Sequence, residues 1–294
     1  METRVLSGKE IAAGIHRELG ERVAGLRQKG TAPRLVLLRV GDDPASISYV
    51  RQKERAAREL GVEAETRVFP AQTSEARLCA EIRRLNAATS VHGILVQLPL
   101  PPHIDEKRAL AAVHPRKDVD GLHPENLGRL LRGDPYLVPC TPHAVQEILV
   151  RSGYPPEGKH VVICGRSVLN GRSLFAVLIQ KAARANATVT VCHTGTPNLA
   201  HFTRQADILV AAMGAPRAIT ADMVREGAVV IDVGVNRVPD PHTKSGYRLV
   251  GDTDFEALLG VAAAITPVPG GVGPMTVAML LWNTITACEV QTAG

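Results

Sequence analysis

The sequence predicts an α/β chain divided into two α/β domains. Short runs that are apolar at nearly every position alternate with helical patterns along its whole length. A proline-punctuated break, "DPYLVPCTPHAVQEIL" (134–149), is followed by a fresh strand, glycine turn and helix. The expected division is 1–140 and 141–275, with a last helix over 276–294. In chain order, a helix is expected over 8–29, then the strand "RLVLLRV" (34–40). The short helix "SISYVRQKERAARELG" (46–61) follows, then a helix over 74–88 and the strand "VHGILVQLPL" (91–100). Beyond the break come a helix over 142–152, the strand "HVVICG" (160–165) and a helix over 171–185. Three strands complete the pattern: "TVTVC" (188–192), "DILVAAMG" (207–214) and "AVVIDVG" (228–234). Runs this uniformly apolar suit strands buried on both faces of a parallel sheet. The last helix opens after "TPVPGGVGPM" and runs to about Glu289.

The helix over 46–61 poses a chemical question. At about 100° per residue, Ser46, Tyr49, Val50, Lys53, Ala56, Ala57 and Leu60 share an arc of roughly 120°. Arg51, Arg55 and Arg58 lie outside it. Lys53 thus sits within the apolar stripe, one turn from Tyr49. A charge on a buried face is costly unless it is paired or its pKa moves. It is either a snorkelling lysine that covers apolar surface or a lysine held for chemistry.

Composition narrows the classes. The 294 residues carry a formal charge of +5 with only 3% aromatics, and no basic block is interleaved with them. Nucleic-acid binding is not expected. Five scattered cysteines without CxxC spacing read as reduced thiols, with neither a disulfide framework nor a metal site. The charged N-terminus lacks an apolar signal core, and no apolar run approaches a membrane span. A cytoplasmic protein with no membrane contact is expected.

"HVVICGRSVLNGRSLFAVLIQKA" reads as strand, tight turn and helix. Gly165 and Gly171 stand where a Rossmann-like dinucleotide fold needs close backbone approach to a pyrophosphate. The spacing lacks the middle glycine of the usual fingerprint, and a plain strand-to-helix turn would look much the same. The next strand ends "VCHTGT", without the acidic residue that binds a free ribose 2′-hydroxyl. Arg166, in the turn, could meet a 2′-phosphate, or be a surface arginine. The pattern leans to NADP.

Three further stretches look chemical. Gln97 ends a buried strand, where its amide needs a partner. "HPRKDVDGLHPENLG" gathers Asp118, Asp120 and Gly121 into a loop. "AITPVPGGVGPMTVAML" is an uncharged proline–glycine loop whose backbone groups could read a planar ligand. Plainer readings are a strand cap, turn-forming aspartates and the start of a helix.

Taken together, "YVRQKERAARELG", "GILVQLPLP", "KDVDGLHPENLG", "PCTP", "GRS", "VVIDVGVN", "GDTDF" and "TPVPGGVGPMT" resemble the bifunctional methylenetetrahydrofolate dehydrogenase/cyclohydrolase family nearly end to end. The resemblance implies a folate-binding catalytic domain (1–140) onto which the last helix (276–294) returns, and an NADP-binding domain (141–275). It implies a folate cleft between them and homodimers formed through the cofactor domains. The implied chemistry is NADP-dependent oxidation of 5,10-methylenetetrahydrofolate, then hydrolysis of the methenyl product to 10-formyltetrahydrofolate. Lys53 matches the catalytic lysine, activating water and moving protons at N10, and Gln97 the glutamine that orients it. Tyr49 matches the aromatic that stacks on the folate, and Asp120 the aspartate that holds the pterin edge. Pro269, Gly270 and Gly271 would approach the folate through backbone groups. Thr141, Gly165, Arg166, Ser167, Gly171, Thr194 and Thr276 fall at cofactor positions, and Val233, Gly234 and Val235 would flank the nicotinamide. No metal is implied.

The chain departs from the family pattern at Asn170, where an apolar residue is usual, and at Ser173, where proline is. Thr194 and Gly195 stand where many relatives carry serine and a basic residue. Two rivals stay open: a two-domain dehydrogenase of a small acid, of shikimate or amino-acid type, and a ligand-binding protein without catalysis. A cyclohydrolase with weak or NAD-dependent dehydrogenase activity is a variant of the main reading. No G-x-x-x-x-G-K-[ST] loop occurs, so no ATP-dependent ligase is implied.

Overall fold

A computed structural model describes residues 2–243 and 246–292. Strands and helices alternate over much of it as expected, with strands Glu63–Phe69, Asn236–Pro239 and Tyr247–Val250 in addition. In order the elements are β1 (Arg4–Val5), α1 (Gly8–Gln28), β2 (Arg34–Val40), α2 (Pro44–Leu60), β3 (Glu63–Phe69), α3 (Glu75–Ala87) and β4 (Gly93–Val96). Then come α4 (Glu106–Ala111), α5 (Pro124–Arg132), α6 (Cys140–Arg151), β5 (His160–Cys164), α7 (Ser173–Leu178) and β6 (Thr188–Cys192). The remainder are α8 (Leu199–Thr203), β7 (Ile208–Ala211), β8 (Val229–Asp232), β9 (Asn236–Pro239), β10 (Tyr247–Val250), α9 (Phe255–Leu258), β11 (Ala264–Ile265) and α10 (Val272–Thr292). The last two residues of the expected final helix, 293 and 294, lie outside the described residues.

The chain forms two compact units, residues 14–140 with 277–294, and residues 1–13 with 141–276. The first holds a three-stranded parallel sheet in the order β3-β2-β4. Its central strand, β2, is buried at six of seven positions, as its apolar run requires. Val36, Leu38 and Val40 pack with Leu78, Ile82 and Leu85 of α3. β3 is an edge strand, and its polar residues form an ion ladder, Arg34–Glu65–Arg67–Glu81. Within this unit, Arg22 of α1 makes a salt bridge of 2.7 Å with Glu289 of α10 and lies over the Trp282 ring.

The second unit holds a six-stranded sheet, all parallel, in the order β1-β11-β8-β7-β5-β6. β5 has β6 on one side and β7 on the other, which makes a topological switch point at their carboxyl ends. β9 and β10 form a separate antiparallel pair.

Three expectations need correction. Residues 1–13 group with 141–276, because β1 pairs Arg4 with Ala264 and Val5 with Ile265 at the edge of the large sheet. The strand expected over 91–100 spans only 93–96; Gln97 N still donates to Leu38 O, and prolines follow from Pro99. The helix expected over 171–185 ends at Leu178, since Ala182 N and Asn186 N both return to Gln180 O.

Candidate active site

α2 fixes the direction of its side chains at both ends. The Asp43 carboxylate caps its start by accepting from Ser46 N at 2.7 Å, and Pro44 takes the first turn. Gly61 closes it in the left-handed region, φ 84°. Ser46, Val50, Ala56 and Ala57 are buried as the periodicity predicts. Lys53 is half-buried, and its Nζ donates to Gln97 Oε1 at 3.0 Å. Gln97 gives its own Nε2 to Leu98 O at 2.7 Å, which leaves Oε1 to face the lysine. Burial of the ammonium pushes the Lys53 pKa down, and the Asp120 carboxylate opposes that shift. Tyr49 shares the stripe but is 45% exposed, so its ring is an open face one turn from the amine.

The loop that carries Asp120 is pinned on either side. Buried Lys117 donates to Leu85 O, Asn86 O and Ala88 O at 2.7–3.1 Å, closing the end of α3. Buried Asp118 accepts from His123 N and Asn126 Nδ2, each at 2.8 Å. Gly121 turns with φ 74°, and a Cβ there would lie 2.6 Å from Pro139 N. Cys140 N donates to Asp120 O, and its Sγ donates to Val119 O. Burial pushes the Cys140 thiol well above its ordinary value, with Asp120 adding to the shift and Lys53 opposing it. Lys53, Gln97, Asp120 and Cys140 therefore converge. An amine of lowered pKa, anchored by an amide and facing a carboxylate, can take and return a proton.

Pro269, Gly270 and Gly271 belong to the unit of residues 1–13 and 141–276. Their loop is held against the start of α1: Gly270 O accepts from Lys9 N, and Gly271 N donates to Pro267 O. A Cβ on Gly8 would sit 1.8 Å from Gly271 O.

The residues expected at the cofactor all lie in that same unit. Gly165 follows β5 with φ 139°, and a Cβ on it would come 2.2 Å from Ala212 O beside β7. A Cβ on Gly171 would come 2.0 Å from Gly165 O. These two glycines make a cradle at the switch point that any side chain would fill, as a pyrophosphate requires. The Ser167 hydroxyl accepts from Asn170 N at 3.2 Å and caps a π-turn over Val168–Arg172 that opens α7. Ser173 is buried and gives its hydroxyl to Val168 O, so serine holds the turn where relatives use proline. Asn170, where the family pattern has an apolar residue, is only half-buried. Arg166 and Thr194 are exposed, and Thr141 and Thr276 are half-buried at the starts of α6 and α10.

Val233–Gly234–Val235 is set by two carboxylates. Asp232 accepts from Gly234 N, Asp252 N, Thr253 N and the Thr253 hydroxyl. Asp252 accepts from the N–H groups of Met213, Gly214 and Ala215 and from Asn236 Nδ2. A Cβ on Gly234 would strike the Asp252 carboxylate at 2.3 Å. Sequence reasoning gave no role to Cys140, Asp232, Asp252 or Asn283. The available signals were the cysteine inside "PCTP", the acids closing "VVID" and "GD", and one amide in "LLWNTIT".

Among the described residues, no group of three or more His, Cys, Asp or Glu is placed to hold a metal ion. No helix among them is long and apolar enough to cross a membrane. Residues 6–120 match the family profile described as tetrahydrofolate dehydrogenase/cyclohydrolase, catalytic domain. Residues 139–292 match its companion, the NAD(P)-binding domain. The bifunctional protein FolD of Dehalococcoides mccartyi strain CBDB1 is 53% identical over 291 residues, covering 98% of each chain. The Trypanosoma brucei N5,N10-methylenetetrahydrofolate dehydrogenase-cyclohydrolase, solved with NADP cofactor and inhibitor, is 43% identical over the full length of both chains, with a TM-score of 0.94. Shikimate 5-dehydrogenase from Thermus thermophilus, solved with NADP(H) and shikimate, has a TM-score of 0.53 at 17% identity, covering 89% of this chain and 94% of its own. That likeness is one of fold alone.

Proposed function

The chain belongs to the tetrahydrofolate dehydrogenase/cyclohydrolase family, and from that premise we propose how its own residues perform the two reactions. It oxidises 5,10-methylenetetrahydrofolate to the 5,10-methenyl form and hydrolyses that to 10-formyltetrahydrofolate. NADP, when bound, accepts the hydride from the bridging carbon. Gly165 and Gly171 give its pyrophosphate room, and the hydroxyls of Thr141, Ser167, Thr194 and Thr276 hold it, with Arg166 against the 2′-phosphate. Val233, Gly234 and Val235 flank the nicotinamide. Tyr49 stacks on the folate, Asp120 accepts from the pterin edge, and Pro269–Gly271 contribute backbone groups.

Hydrolysis belongs to Lys53. In its neutral form the amine takes a proton from the water that adds to the methenyl carbon. Gln97 holds the amine in place, and Asp120 steadies the ammonium once it forms. The carbon–N5 bond then breaks, N5 keeps one proton, and the second leaves to solvent. The formyl group stays on N10, so the proton transfer expected there from the sequence is assigned to N5 instead.

The observation that supports this reading best is the Lys53–Gln97 hydrogen bond of 3.0 Å beside Asp120, with burial depressing the lysine pKa. Lys53→Met is expected to slow methenyltetrahydrofolate hydrolysis by about 100-fold or more while folate still binds. The loss of methenyl absorbance and a folate titration measure the two effects. Hydrolysis at the wild-type rate would end the assignment. The reading also takes the protein as cytoplasmic, consistent with its five free cysteines, and as a homodimer through the cofactor unit. The edge position of β6 and the exposed Val168, Leu169 and Ile179 support that dimer.

A further inference from the structure

α10 is apolar without a break from Val277 to Trp282, yet Asn283, next along it, is buried at 2% exposure. Its Nδ2 donates to Val119 O at 2.9 Å and to Val138 O at 2.8 Å, and lies 3.8 Å from Cys140 Sγ. These acceptors belong to two segments that share no strand ladder. One runs through Asp118, Val119, Asp120 and Gly121; the other is Val138, Pro139 and Cys140. Pro139 has no N–H, so the second segment has little with which to pair directly. What joins them is sparse: Cys140 N to Asp120 O at 3.4 Å and Cys140 Sγ to Val119 O at 3.3 Å. The two N–H groups of one amide close the gap, and no other side chain is hydrogen-bonded to both Val119 O and Val138 O among the described residues.

We propose that Asn283 is a positioning residue for hydrolysis, fixing Asp120 and Cys140 against Lys53 from the C-terminal helix. The inference rests on the proposed role of Lys53 and Asp120. Removing the amide takes its donor from Val138 O, leaves Val119 O only the weak Cys140 thiol, and frees the Asp120 loop to move relative to the amine. Displacements of this kind tell on rate more than on binding, because proton transfer depends on geometry more steeply than contact does. Thr284 is the natural control: also fully buried in α10, it satisfies its hydroxyl within the helix, on Leu280 O.

The test compares Asn283→Ala, Thr284→Val and Lys53→Met with wild type, by kcat and KM of methenyltetrahydrofolate hydrolysis, its pH profile, and thermal melting. Asn283→Ala is expected to lower kcat about tenfold with KM changed less than threefold. Asp120 is the charged partner that raises the Lys53 pKa, so loosening its loop should move the limb that Lys53 governs to lower pH. Thr284→Val should lower the melting point and leave kcat and the pH profile in place. If Asn283→Ala lowers only the melting point, the amide is structural and the proposal falls. Should that variant not fold, Asn283→Ser, which keeps one donor, takes its place under the same criteria. A Lys53→Met protein that hydrolyses normally would instead overturn the reading of the site on which the proposal stands.

Discussion

Glu147 of α6 has no exposed side-chain surface, and an imidazole and two guanidinium groups reach it. His143 Nε2 lies at 3.4 Å, Arg151 Nε at 2.7 Å and Arg184 Nη2 at 2.5 Å. Burial alone would raise its pKa, but these partners hold the carboxyl down to about 2. Its folded value is below its unfolded one, so the stabilisation is complete above the ordinary glutamate range and is lost as pH falls from about 4.5 towards 2. At about 1.4 kcal/mol per pH unit this amounts to about 3 kcal/mol. Glu147→Gln should therefore cost about 3 kcal/mol at pH 7, and the gap to wild type should narrow by about 1 kcal/mol at pH 4. Urea melts at the two pH values measure this; equal gaps would show that the charge is not the source. At this scale the sequence revealed some residues and hid others. Lys53 was legible because a charge in an apolar helical stripe is visible in a linear pattern. Cys140 was not, because its chemistry comes from approaching Asp120 and Lys53, and no local spacing records that.

Elements were legible in proportion to how uniformly they are buried. β2, β5, β7 and β8 are buried and apolar at most positions and are read directly. β3 escaped because "EAETRVF" lies at a sheet edge, where charged side chains pair with neighbouring charges instead of packing. α7 was overextended because the alanine-rich stretch after it has helical propensity, while Arg184 is drawn to Glu147 and the backbone turns back on Gln180. The turn between β5 and α7 leaves no room for a Cβ at Gly171, which would lie 2.0 Å from Gly165 O. Gly171→Ala must push Gly165 aside. It should raise the dissociation constant for NADP at least tenfold, on the order of 1.4 kcal/mol or more. Titration calorimetry reads this, and unchanged affinity would remove the turn from the cofactor site.

For the whole molecule, alternating strands and helices predicted the α/β class, and both parallel sheets follow that pattern. The grouping of residues 1–13 with 141–276 was not legible. A two-residue strand leaves no periodicity to detect, and its partner lies some 260 residues along the chain. The proposed dimer is tested at this scale. Light scattering should give twice the mass of one chain, and Leu169→Glu with Ile179→Glu should return it to a single copy. A wild-type protein that is monomeric at micromolar concentration would exclude it.

Pairing Arg4 with Ala264 and Val5 with Ile265 has a consequence during synthesis. At about 5–20 residues per second, the first strand emerges from the ribosome and waits on the order of 10–50 s for its neighbour. The unit of residues 14–140 is completed later still, since 277–292 of α10 come after β11. Neither unit closes until its last segment has been made. Apolar surface stays open in the meantime, which is when a chaperone would have most to cover.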